Sequence, residues 1–104
     1  MMPAMAQGDI WWAESEAGRR PVLVVTRNEA IPVLNRIVVA PITRTVREIA
    51  SEVSLDVDDG LAHRCAASFD NLRVVLKAHL TERVGSISHR RPEICAALAA
   101  MADC

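Results

Sequence analysis

Large aromatic side chains are almost missing from this chain: of 104 residues only Trp11, Trp12 and Phe69 are Trp, Phe or Tyr. A core must therefore be assembled from Val, Leu, Ile and Ala. Lysine is scarcer still, since eleven of the twelve basic residues are Arg and only Lys77 is Lys. That bias suits bidentate contacts to phosphate wherever arginines converge, and a GC-rich coding bias produces it equally well. Neither sign of charge is in excess. At a formal net charge of −1 there is no bulk attraction to polyanions, so any nucleic-acid site has to be local. No run approaches the ~20 apolar residues of a membrane span. The start, Met1-Met2-Pro3-Ala4-Met5-Ala6-Gln7, lacks a basic region followed by a long apolar stretch, and no secretory signal is expected. There is no GxGxxG, Walker loop, CxxC pair or HExxH helix, which removes nucleotide-binding, zinc and metalloprotease readings as first choices. Ser68 lacks a G-x-S-x-G setting, so a serine hydrolase is not indicated. Cys65, Cys95 and Cys104 form no close pair, and their odd number leaves one thiol unpaired in any intramolecular scheme, which fits a reducing cytosol.

What is present is a set of short apolar runs with polar ends. Arg36-Ile-Val-Val-Ala-Pro-Ile-Thr-Arg44 is the most informative, because an apolar strand there delivers a hydroxyl and a guanidinium side by side. Arg19-Arg20-Pro21 opens a second run, Val22 to Thr26, and two such strands would bring Arg20, Thr43 and Arg44 to one rim. Such a rim suits a phosphate, with the planar fork of Arg and the short hydroxyl of Thr as donors. The acidic residues are segregated: Glu48, Glu52, Asp56, Asp58 and Asp59 crowd one segment.

Residues 1–7 read as a loose tail, and residues 8–104 as one domain, large enough for a single core. Ile10 to Ala13 is a strand whose adjacent tryptophans must point to opposite faces; one enters the core and the other marks a subunit contact. Ala17-Gly18 turns the chain into the strand Pro21–Thr26, whose continuous apolar run predicts burial on both faces. Pro32 makes residues 27–35 an irregular loop. Further strands are expected at Ile37–Ile42, Glu52–Asp56, Arg64–Phe69, Leu72–Leu76 and Leu80–Ile87, with a turn at Asp58-Asp59-Gly60 and a kink at Asp70-Asn71. Pro92 to Ala102 is a helix, with Pro at its start, Glu93 in the first turn and Ile94, Leu98 and Met101 on one face. Short strands followed by one terminal helix predict a mainly β chain folded as a small, strongly curved antiparallel barrel.

Each candidate site residue also has a plain structural reading. Arg20 is equally a surface residue at a turn. Asp70-Asn71-Leu72-Arg73 sets a carboxylate, an amide and a guanidinium between apolar runs, and an Asx-type turn explains the first two as well. His63, His79 and His89 stand in no recognisable arrangement and read as solvated.

Taken in order, Gly8-Asp9-Ile10-Trp11-Trp12, Arg20-Pro21-Val22-Leu23-Val24-Val25, Val39-Ala40-Pro41-Ile42-Thr43 and Phe69-Asp70-Asn71-Leu72-Arg73, followed by Gly85 and the terminal helix, resemble the MazF/PemK family of toxin endoribonucleases. The resemblance runs from residue 8 over nearly the whole chain. It implies a compact SH3-like antiparallel barrel with a C-terminal helix, a cytoplasmic bacterial toxin that works as a homodimer, and metal-independent cleavage of single-stranded RNA without a cofactor. A cognate antitoxin with an acidic, flexible tail would hold it inactive. By the same resemblance Arg20 and Thr43 are catalytic, while Arg19, Arg44, Asp70, Asn71 and Arg73 contact RNA. Asn71 departs from the Gln usual at its position. The stretch Glu14-Ser15-Glu16-Ala17-Gly18 is shorter than the first loop of many relatives, which leaves a groove more open to a folded RNA such as tRNA as well as to mRNA. The family's 2′-hydroxyl attack yields a 2′,3′-cyclic phosphate and a 5′-hydroxyl; Glu14 and Glu16 are the nearest carboxylates to act as base. Two rivals remain: a protein-binding toxin of the same barrel that inhibits a topoisomerase, against which the ending Met101-Ala102-Asp103-Cys104 argues, and a catalytically silent binding module.

Overall fold

The computed structural model describes residues 4–102. Seven antiparallel strands, β1 (Asp9–Ser15), β2 (Gly18–Val24), β3 (Arg36–Thr43), β4 (Glu52–Leu55), β5 (Cys65–Ser68), β6 (Arg73–Leu76) and β7 (Leu80–Ser86), lead into one helix, α1 (Arg91–Met101). The sheet runs β4-β5-β3-β2-β1-β7, and β6 pairs with β3 beside this path, giving a curled half-barrel.

Strand alternation divides the apolar residues between two cores. Ile10, Leu23, Ala40, Val53, Leu55, Phe69 and Ile87 point to one face, where Ile94 and Ala97 of α1 cover them. Trp11, Val22, Val24, Ile37 and Val39 point to the other, closed by Ile31 of the 27–35 loop and by Leu80. The doubly buried run in β2 is thus real, although β2 starts at Gly18 and ends at Val24. The hairpin is also tighter than the sequence reading: Ser15 pairs with Gly18, which leaves only Glu16 and Ala17 as the turn.

The chain is tied in before Gly8. Ala6 donates its N–H to Asp9 Oδ2 at 2.9 Å, and Gln7 Nε2 donates to the Val25 carbonyl at 2.8 Å, so these two residues belong to the domain rather than to a tail. Residues 1–3 lie outside the described residues.

Two prolines set where the ladders stop. Val25 donates its N–H to the Val38 carbonyl at 3.0 Å, so on this edge Leu23–Ala40 is a hydrogen-bonded rung, whereas Val24–Val39 and Val22–Pro41 are not. The next bonded rung would join Pro21 to Ile42. Pro21 has no N–H, and the β2–β3 ladder ends at Val22–Pro41. On the other edge of β3, Lys77 donates to the Asn35 carbonyl at 2.9 Å, which makes Ile37–Val75 and Val39–Arg73 the bonded rungs with β6. The next would fall on Pro41, which again has no N–H to offer. There the neighbouring strand breaks into the 3-10 turn Phe69–Asn71, and the register shifts by three residues before Ile42–Ala67 and Thr43–Ala66 resume the pairing through β5. The kink expected at Asp70-Asn71 is this break.

The acidic segment is absorbed into structure. Asp56 and Asp59 form a reciprocal cap on the 3-10 turn Val57–Asp59. Arg90 joins it to α1, with Nη1 3.5 Å from Asp59 and Nε 2.6 Å from Glu93. That hydrogen bond holds the Glu93 carboxyl below its ordinary range. The turn lies against β7, where a methyl group at Gly85 would collide with the Asp59 carbonyl oxygen and one at Gly60 would sit 2.5 Å from that of Val84. Gly85→Ala should therefore cost about 1–3 kcal/mol, as forced overpacking does, and lower the Tm by roughly 5–20 °C. An unchanged thermal melt would show that the turn can move away freely.

Candidate active groove

Beyond Val22–Pro41 the strands β2 and β3 part, and the sequence register carried two residues further sets Arg20 opposite Thr43. Alternation puts both on the face of Val22, Val39 and Pro41. The fork opens into a groove of about 1280 Å³ that both residues line. The dipeptide Arg20-Pro21 now has a physical sense: the proline ends the ladder one residue after the arginine, so the guanidinium hangs over a gap instead of a paired strand.

Thr43 is half-buried, and its Oγ1 accepts the N–H of Thr45 at 3.1 Å. That bond orients the hydroxyl and leaves its proton free to donate. Arg20 is exposed, and its side chain has no hydrogen bond or ion pair among the described residues. Arg73 pairs with Val39, which places it on the same face, and Arg44 follows Thr43 along the rim; both line the groove. Altogether Arg19, Arg20, Arg36, Arg44 and Arg73 line it, against one carboxylate, Glu14, among the described residues.

The expected residues do not all converge. Arg19 lines the mouth of the groove, but it pairs with Glu14 on the opposite face of the hairpin from Arg20. Its guanidinium lies 4.8 Å from the Trp12 ring centroid, with Nη2 3.1 Å from Glu82 and Nε 3.6 Å from Glu14. Trp11 is fully buried and Trp12 half-buried, so the tryptophan left outside the core is covered by this chain's own Arg19. Asp70 and Asn71 stand outside the groove lining. Asp70 accepts from Ser51 Oγ at 2.5 Å, tying the turn to the residue before β4, and Asn71 donates to Ser68 Oγ at 2.8 Å within the turn. Glu14 is engaged by Arg19 on the far face, and Glu16 sits at the exposed hairpin tip.

Three groove residues were given no site role by the sequence: Arg36, and His63 and His79, which read there as solvated. Arg36 opens β3 and pairs with Leu76 of β6, a partner that no sequence spacing reveals. His79 precedes Leu80, which pairs with Ala13, and Ala13 pairs in turn with Arg20; two strand pairings that place an imidazole beside the fork are likewise invisible in sequence. Cys65 also borders the groove. Burial first, and then Asp56 and Asp59, push its thiol up, so it stays protonated at neutral pH and is no thiolate nucleophile.

Fold and groove define a small half-barrel with one arginine-lined face. The family profile described as PemK-like, MazF-like toxin of type II toxin-antitoxin system matches residues 6–101. The chain belongs to this family. It is 44% identical over 102 residues to the Mycobacterium tuberculosis protein named "Probable endoribonuclease MazF5", covering 95% of this chain and 94% of that one. The solved structure of "Mycobacterium tuberculosis toxin MazF-mt6" superposes with a TM-score of 0.83 at 33% identity, covering 91% of this chain and 96% of that one. The structure described as "Endoribonuclease in complex with its cognate antitoxin from Mycobacterial species" shares the fold, with a TM-score of 0.81 at 24% identity and 94% of each chain covered.

If Pro21 opens the fork, Pro21→Ala should supply the missing donor and extend the ladder by one rung. The new amide at position 21 should then exchange with solvent at least tenfold more slowly than an unpaired amide. Free exchange there would show that the strands part for another reason.

Proposed function

We propose that this chain is the endoribonuclease of a toxin–antitoxin pair and cuts single-stranded RNA in the groove between β2 and β3. The observation that carries the reading is electrostatic: a chain of net charge −1 lines one groove with Arg20, Arg36, Arg44 and Arg73, none of them in an ion pair among the described residues, while Arg19 at its mouth is engaged by Glu14 and Glu82. Charge of that sign and density holds a phosphate backbone.

In the reaction the 2′-oxygen attacks the adjacent phosphorus, the bond from phosphorus to the 5′-oxygen breaks, and the products end in a 2′,3′-cyclic phosphate and a 5′-hydroxyl. Negative charge builds on the non-bridging oxygens as the phosphorane forms. Arg20, unpaired at the fork, and the Thr43 hydroxyl, oriented by Thr45, donate to those oxygens. Arg44 and Arg73 hold flanking phosphates. As a guanidinium, which holds its proton at neutral pH, Arg20 serves as charge stabiliser and proton donor rather than as base. Glu14 is engaged by Arg19, so removal of the 2′-proton falls to the imidazoles of His63 or His79, the other proton acceptors lining the groove. Arg19 acts by shaping the hairpin over Trp12, and Asp70 with Asn71 by fixing the turn that precedes β6.

A bacterial cytoplasm is the setting, and an antitoxin with an acidic, flexible tail is the partner that the groove's charge favours. The homodimer is carried over from the family resemblance. It no longer follows from Trp12, which Arg19 covers; the adjacent Val33 and Leu34, 79% and 42% exposed, are apolar surface for a second copy. Among the described residues no helix is long and apolar enough to cross a membrane.

Arg20→Ala and Thr43→Ala should each lower cleavage about 10²–10³-fold, the usual loss for one well-placed donor, and change stability by no more than about 0.5 kcal/mol because neither fills a core. Arg20→Lys should recover only part of the activity, keeping the charge but losing the planar fork. Cleavage by the wild type should persist in EDTA and leave cyclic-phosphate ends. Wild-type rates in Arg20→Ala, or abolition by EDTA, would overturn this mechanism, and RNA binding without any fragments would establish a silent binding module instead.

A further inference from the structure

Among the described residues Arg19 is the one groove arginine engaged by carboxylates. Strand register builds its surroundings. Glu14 stands directly opposite it on β1, Trp12 is its diagonal neighbour on the same face, and Glu82 of β7 pairs with Trp12. The guanidinium lies over the indole, 4.8 Å from the ring centroid; Nη2 donates to Glu82 Oε2 at 3.1 Å, and Nε sits 3.6 Å from Glu14 Oε1. The N–H groups of a guanidinium lie in its plane, so the Glu82 carboxylate holds an edge while Trp12 covers one flat side. The other flat side is left to the mouth of the groove, and the side chain is 44% exposed.

One guanidinium beside two carboxylates is a net negative cluster, which repels a phosphate. A flat, weakly hydrated group held in one orientation suits a different part of RNA, because unpaired bases stack on guanidinium planes as they do on aromatic rings. We infer that Arg19 is a base platform: an unpaired base flanking the phosphate held by Arg20 stacks on the outer side of the guanidinium, giving a three-layer stack of Trp12, Arg19 and base. The inference rests on the RNA reading proposed above and adds base selection to it. Arg20, the next residue, turns to the opposite face by strand alternation and keeps an unpaired charge for phosphate. Two adjacent arginines thus divide the work, one reading charge and the other a ring. A purine covers more of the platform than a pyrimidine and is the preferred base. Trp12 is the positioning residue, since it fixes the plane from behind.

The test measures binding without cleavage. Two fluorescein-labelled chains with equal numbers of phosphates are titrated by anisotropy: a 2′-O-methyl octaadenylate, which has no 2′-hydroxyl to attack, and an abasic chain of the same length. The wild type should prefer octaadenylate at least fivefold, the lower end of what one stacked base contributes. Arg19→Ala should weaken octaadenylate at least fivefold and the abasic chain less than twofold. Arg19→Tyr, flat without charge, should bring octaadenylate back to within about threefold of wild type, whereas Arg19→Lys, charged without a plane, should not. The salt dependence of octaadenylate binding should be the same in Arg19→Ala as in wild type, since only a lost phosphate contact flattens the slope of log affinity against log salt, by about 0.7 for a single strand. Magnetic resonance on the wild type serves if the hairpin variants fail to fold: octaadenylate should shift the Arg19 Nε–H resonance upfield through the ring current, and the abasic chain should leave it in place. Equal losses on both chains in Arg19→Ala, a flatter salt slope, or better rescue by Lys than by Tyr would make Arg19 a phosphate contact and overturn the inference. So would an unmoved Nε–H resonance, or no loss on either chain. Failure of the wild type to bind either chain would instead overturn the RNA reading on which the inference rests.

Discussion

A hydrogen atom that Pro21 does not have shapes the working end of this protein. Antiparallel strands zip until a rung lacks a donor, and the rung Pro21–Ile42 lacks one. Strand β3 therefore leaves β2 while its other edge is still held, first by β6 and then, past the Phe69–Asn71 break, by β5. Pro41 contributes the same deficit on that second edge. Pro21 thus opens the cleft between β2 and β3, while Pro41 lets β3 pass from β6 to β5 on its other edge. Arg20 and Thr43 acquire their positions as the residues on either side of that gap.

The groove keeps its positive charge because only Arg19, at its mouth, is neutralised and the other acids are occupied elsewhere. Glu82 and Glu14 engage Arg19, Glu48 engages Arg64 at 2.8 Å, Glu93 and Asp59 engage Arg90, and Asp9 is buried where it accepts the Ala6 N–H. Asp56 is used in capping a turn. A near-neutral chain can thus present a strongly polar face, since what matters to a phosphate is the set of charges within a Debye length, about 10 Å at ordinary salt. The acidic cluster prominent in the sequence is a structural device that holds α1 to the sheet, and its value to function lies in leaving the arginines of the groove unneutralised.

Most strands were legible because apolar alternation is a local signal. Ile10 and Leu23 against Trp11 and Val22 divide between two faces as period-two patterning requires, and the helix was marked by Pro92, Glu93 and Ile94. Arg20 and Thr43 were legible through resemblance, and the register explains why they meet. Less legible was anything that depends on pairing between distant strands. Arg36 and His79 reach the groove through the neighbours of β3 and β1, and Arg19, adjacent to Arg20 in sequence, is turned to the other face by the same alternation that places Arg20. Asp70 and Asn71 were ambiguous because polar residues between apolar runs serve structure and binding alike; their bonds to Ser51 and Ser68 fasten the chain break to the start of β4 and to the end of β5.

Stability and chemistry are thereby carried by different parts of a very small molecule. The two cores end at Val22, Val39 and Leu80 on one face and at Phe69, Ile87 and Ile94 on the other, and the rim formed by Arg20, Thr43, Arg44 and Arg73 lies beyond both. A substitution on the rim opens no cavity, so side chains there are free to change within the small energetic range of surface sites. The backbone of the fork has no such freedom, because its opening depends on Pro21, and the path of β3 beyond it on Pro41 and the three-residue shift between β5 and β6. Different RNA preferences can therefore be written on one fork by changing the side chains around it, whereas a change in the prolines alters the existence of the groove itself.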